Sequence, residues 1–99
     1  MEKIQAYLIG EIISSNTNEA HTLHKKSCFG EPVGSKIQYS LSETLFLIEK
    51  GKMEIILRTK KVQLKELIKK FQKIDKRIQI KYPVFKDLRE RGYIVKTAL

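Results

Sequence analysis

Only one cysteine, Cys28, stands in the 99 residues, so no internal disulfide can form, which fits a reducing cytosol. No run of about 18 apolar residues occurs, so no segment reads as a membrane-spanning helix. The start, Met1-Glu2-Lys3-Ile4-Gln5, is too polar for a secretory signal. The expectation is a cytoplasmic protein with no membrane partner. Paired carboxylates, a Ser-His-Asp order and a metalloprotease pattern are all missing. Gly30-Glu31-Pro32-Val33-Gly34 resembles a phosphate loop only superficially, because the Gly-Lys-Ser/Thr ending is missing and the proline removes an amide. No internal repeat or low-complexity tract is visible. The length leaves room for one small domain, not for a multidomain enzyme with a large cleft.

Basic residues are abundant. Twenty Lys+Arg against 11 Asp+Glu give a net charge of +9. Residues 1–49 carry a net −2 and residues 50–99 a net +11, so the whole excess lies in the second half. Such asymmetry marks a face for a polyanion, nucleic acid first, or else a lysine-rich solvated surface. A hydrophobic fraction of 41% supports a packed core.

Along the chain, Ile4–Ser14 reads as two short strands joined at Gly10, or one bulged strand. Asn16-x-x-Glu19 predicts a capping box opening a short helix to about Lys26. Cys28–Ser35, with two glycines and a proline, predicts a loop. Ser40-x-x-Glu43 predicts a stronger capping box, followed by a helix that stops at Gly51. Met53–Arg58 alternates as a strand. Leu64, Leu67, Ile68, Phe71 and Ile74 then fall on one helical stripe. Lys65, Lys69, Lys73 and Lys76 lie within about 80° on the other side of that helix, as candidate RNA contacts. Pro83 predicts either a kink near Gln79–Pro83 or a fresh helix starting at the proline. Asp87 precedes Arg91 by four for an ion pair, Gly92 ends the helix, and Tyr93–Thr97 predicts a closing strand. The whole is expected to be α+β, a small mostly antiparallel sheet against three to four helices.

Chemistry-bearing residues are few. His21 and His24, three apart and near Cys28, lack the carboxylate or thiolate pair of a good metal site, so no metal or cofactor is expected and the histidines read as surface residues. Cys28 has no base to activate it and reads as a small apolar side chain. Tyr7, Tyr39, Tyr82 and Tyr93 could stack on bases, with packing the plainer role for Tyr7 and Tyr93. Catalysis by these residues alone has no support.

Tyr82-Pro83-Val84-Phe85-Lys86-Asp87-Leu88-Arg89-Glu90-Arg91-Gly92-Tyr93-Ile94-Val95-Lys96-Thr97 closely resembles the central signature of archaeal tRNA-splicing endonucleases. Upstream, Phe29-Gly30-Glu31-Pro32 looks like that family's aromatic-Gly-x-Pro turn, and Leu41–Ile55 like its central helix and following strand. The resemblance covers nearly the whole chain and maps onto the N-terminal domain only. Two departures are Pro83 in place of an ordinary helix residue and Ala98 in place of a glycine. The resemblance implies metal-free cleavage at intron boundaries of precursor tRNA, leaving a 2′,3′-cyclic phosphate. It places the catalytic tyrosine, histidine and lysine in a domain that would begin after residue 97, so none is assigned here. It implies that Asp87, Arg89, Arg91, Gly92 and Tyr93 form the domain junction. The implied partners are a catalytic domain or subunit, precursor tRNA and further chains in a homo- or hetero-oligomer. An apolar seam near Tyr93 to Leu99 would meet that partner.

Overall fold

The computed structural model describes residues 3–95. Its first strand, β1 (Ile4–Ile9), alternates strictly, with Ile4, Ala6 and Leu8 buried and Gln5, Tyr7 and Ile9 exposed. Strand β2 (Ile12–Ser15) returns antiparallel through Gly10-Glu11, with Ile9 opposite Ile12. Two strands joined at the glycine is therefore the form that Ile4–Ser14 takes.

Helix α1 (Asn18–Ser27) is capped by Thr17, whose hydroxyl accepts from the Ala20 N–H at 3.2 Å. Spacing makes Asn16 the expected cap, but its Oδ1 lies 3.1 Å from His21 Nε2 instead. A residue one place later serves because either oxygen could reach the free amides of the first turn.

The segment expected to be loop is largely a hairpin. Strand β3 (Glu31–Val33) pairs antiparallel with β4 (Lys36–Tyr39) through Gly34-Ser35. Pro32 is tolerated because β3 is an edge strand, where one missing N–H leaves no ladder unpaired.

Helix α2 (Leu41–Glu49) has the predicted capping box, with Ser40 Oγ accepting from the Glu43 N–H and Glu43 Oε1 from the Ser40 N–H. Six consecutive residues, Ser42–Leu47, are buried, so this helix is enclosed on all sides. It ends at Gly51, φ +72°, and leads into β5 (Met53–Leu57). A two-residue strand β6 (Lys60–Lys61), helix α3 (Leu64–Ile74) and helix α4 (Ile78–Glu90) complete the described elements.

The strand order is β3-β4-β2-β1-β5-β6, antiparallel except for the β1–β5 pair. This is the expected α+β architecture. One sheet face carries Ile4, Ala6, Leu8, Ile13, Ile37, Tyr39, Met53 and Ile55 into a core shared with Leu23, Leu45, Leu47, Leu67, Phe71 and Phe85. Phe46 links that core to α4, stacking on Phe29 at 5.7 Å and meeting Phe85 edge-on at 6.0 Å. Lys50–Glu90 at 3.1 Å and Lys86–Glu49 at 2.9 Å bridge α2 and α4 at the surface.

Pro83 corrects one of the two expectations attached to it. Helix α4 begins at Ile78 and runs through the proline, so no fresh helix starts there. Both Pro83 and Gln79 are exposed, so water can serve the carbonyl that loses its partner.

Candidate nucleic-acid interface and domain junction

Helix α3 is held by Leu67 and Phe71, both fully buried, while Lys65, Lys69 and Lys73 stand exposed on its outer side. Lys76 does not join them. The helix stops at Ile74, and Asp75 is extended at φ −137° and ψ 107°. Its carboxylate accepts from the Arg77 N–H at 2.9 Å and pairs with Lys81 Nζ at 2.8 Å, an Asx turn that redirects the chain into α4. The Lys81 ammonium and the Arg77 amide hold the Asp75 carboxyl below its ordinary range. Lys76 therefore sits in the turn between two helices, and the lysine stripe is three residues long.

Arg89 is a structural bracket. Its Nη1 donates to the Ser27 carbonyl at 2.9 Å, and its guanidinium lies 3.9 Å from the centre of the Phe29 ring. Burial lowers its pKa, and the Glu43 carboxylate opposes that shift. Arg89 thus ties α4 to the end of α1 and is not a mobile surface charge. Asp87 and Arg91 do form the expected pair, at 3.3 Å, but both side chains are mostly exposed, so it stabilises little.

Gly92 takes φ +92°, as expected of the residue that stops this helix. Its N–H donates to Arg89 O at 3.0 Å, and the Tyr93 N–H to Leu88 O at 3.1 Å. These two bonds make a Schellman motif, which satisfies the last carbonyls of α4. The following residues contradict the closing strand. Tyr93, Ile94 and Val95 pair with no strand; Tyr93 and Ile94 are 61% and 62% exposed, while Val95 packs on the core. The sheet's two edges belong to β3 and β6, and the Schellman turn directs Val95 onto packed side chains instead. Lys96 and Thr97, the rest of that expected strand, and the seam's end at Leu99 lie outside the described residues.

The histidines brace α1. His21 Nε2 lies 3.2 Å from Ser35 O, and His24 Nδ1 lies 3.1 Å from Phe29 O. Among the described residues no three His, Cys, Asp or Glu side chains gather as metal ligands. Cys28 is half-buried at φ +58°, closing α1. Of the tyrosines, Tyr39 is buried and Tyr82 half-buried, while Tyr7 faces out from the open side of the sheet. Burial first, then Glu43 for Tyr39 and Glu49 for Tyr82, push both phenols above their ordinary range, so both stay neutral.

Two features escape a reading by motif. Glu43 is 4% exposed, and its second oxygen accepts from the Gly30 N–H at 2.7 Å, fastening the Phe29–Glu31 turn to the start of α2. The capping-box spacing points to one of those bonds; the second depends on a contact thirteen residues away. The other feature is a basic cleft beside β6, lined by Arg58, Lys60, Lys61 and Lys70 together with Glu66.

The family model of the tRNA intron endonuclease N-terminal domain matches residues 4–68. A tRNA-splicing endonuclease of Thermococcus onnurineus is 40% identical over 99 residues, 99% of this chain and 58% of that protein. One of Pyrococcus horikoshii is 39% identical over 97% of the chain and 57% of its own length. One of Methanothermobacter thermautotrophicus is 34% identical over 96% of the chain and 55% of its own length. The chain belongs to the tRNA intron endonuclease family, and its residues 4–68 match that family's N-terminal domain. It spans rather less than two thirds of the relatives it matches.

Proposed function

We propose that the chain is the N-terminal, RNA-proximal part of a cytoplasmic endonuclease that removes introns from precursor tRNA. The observation that carries this reading is the match of nearly the whole chain to proteins named tRNA-splicing endonuclease. The exposed α3 lysines add support. In this reading the catalytic domain or subunit follows the Asp87–Tyr93 junction, with the enzyme's first catalytic-domain residues beyond position 97. Bond cleavage belongs to that domain. The present residues position it and supply positive potential along the RNA. The working enzyme is a homo- or hetero-oligomer.

Changing Lys65, Lys69 and Lys73 together to Gln tests the electrostatic part. Such surface changes cost under ~0.5 kcal/mol each, so the fold should survive. If the stripe meets RNA, the slope of log K against log salt should flatten by ~2–3 units, since each phosphate contact releases counterions. An unchanged slope in an RNA-binding titration would make these lysines a solvated face only.

A further inference from the structure

Among the described residues, three hairpins have two-residue loops: Gly10-Glu11, Gly34-Ser35 and Arg58-Thr59. The first loop residue has φ +62° in each case, and the second is not positive. That is the pattern of a II′ turn, which favours glycine at its first position. Two loops have the glycine; the third has arginine. A left-handed arginine is strained, and strain retained in this way is a pointer to function.

Arg58 also opens onto the basic cleft. Across from the turn, α3 presents Lys70, and the floor includes Leu57 and Val62. The cleft holds about 630 Å³, within the range of ligand sites. Lys61 is engaged by Glu54 at 3.4 Å, and Glu66 supplies one carboxylate at the rim. Among the described residues, the ion pairs leave out Arg58, Lys60 and Lys70. Around α3, Lys65, Lys69 and Lys73 fall at about 0°, 40° and 80°, and Lys70 at about 140°. Glu66, at about 100°, falls between the lysine stripe and Lys70, so stripe and cleft are neighbours on the helix separated by one carboxylate.

We propose that this cleft seats a phosphate of the RNA backbone, with Arg58, Lys60 and Lys70 as its donors and Thr59 Oγ1 as a neutral one. The guanidinium supplies a fork for two phosphate oxygens, and the lysines supply point charge. The site extends the α3 track to the β5–β6 turn and rests on the reading that the chain meets precursor tRNA. A strained arginine where glycine would fold more easily is the feature a merely solvated surface does not explain.

The test titrates the 99-residue chain with a precursor-tRNA transcript over a series of salt concentrations. Four proteins are compared: the parent, R58Q/K60Q/K70Q, K65Q/K69Q/K73Q and R58G. The cleft triple variant should bind at least ~10-fold more weakly at low salt and lose ~2–3 units of slope. Arg58→Gly should melt at a higher temperature than the parent while losing up to ~1 unit of slope. Parent-like binding by the cleft variant, alongside weakened binding by the stripe variant, overturns the cleft and leaves the RNA reading standing. Absence of RNA binding by the parent overturns both. Arg58→Gly that gains no thermal stability, or keeps the full slope, removes the arginine's special role and with it the proposal.

Discussion

Replacing Gly30 by alanine is expected to destabilise the domain by about 3 kcal/mol, lowering its melting temperature by roughly 12–24 °C. Two causes add. Gly30 has φ +77°, where a Cβ costs about 1 kcal/mol or more. A Cβ built there would also stand 2.3 Å from Ile37 Cγ2, 3.0 Å from Tyr39 Cε1 and 3.1 Å from the Gln38 carbonyl. The first two belong to buried core residues and the third to β4 backbone, so none can retreat cheaply. Gly92→Ala is the internal control: nothing lies within 4 Å of its Cβ position, so only the backbone strain at φ +92° remains. Thermal melts of the two variants should therefore differ clearly. Equal melting temperatures would show that the β4 contact has slack.

Glu43→Ala is expected to have an effect of similar size, about 3–4 kcal/mol. The change removes the acceptor for the Ser40 N–H at 3.0 Å and for the Gly30 N–H at 2.7 Å. Gly30 is itself buried, so the loss falls inside the core rather than at its surface. It also removes the carboxylate that offsets the burial of Arg89. Glu43→Gln keeps one amide oxygen for one of those donors and should recover about half of the loss. Urea unfolding curves would check the order parent, Gln, Ala. A Gln variant no better than Ala would place the stabilisation in the charge rather than in the hydrogen bonds.

Much of this framework was legible beforehand because its signals are local. The strict alternation of Ile4, Ala6 and Leu8, the Ser40–Glu43 capping box and the Leu64–Ile74 stripe each specify an element within a few residues. Gly92 did so too, since only a left-handed residue completes the Schellman turn. Elements that depend on distant partners were not legible. Glu31–Val33 has no buried side chain, and becomes a strand only because β4 offers it an edge. Tyr93–Val95 has strand-forming residues but pairs with neither edge strand of the sheet, so composition misled. Spacing alone puts Lys76 on the helix, whereas Asp75 makes local hydrogen bonds that end the helix first. Within the candidate interface the lysine stripe was readable. The cleft was not, because it joins Arg58 to Lys70 across a hairpin and a helix.

Complementation of cleavage decides whether this chain works as the partner of a catalytic domain. The 99-residue chain would be mixed with a separately made polypeptide carrying the catalytic domain of the Thermococcus onnurineus relative, and supplied with a precursor tRNA containing an intron. Neither polypeptide alone is expected to cleave, and the mixture should cleave at both intron boundaries. The mixture should lose rate when Lys65, Lys69 and Lys73 are changed to Gln. Cleavage by the 99-residue chain alone, or an inert mixture in which both polypeptides are folded, would contradict that role.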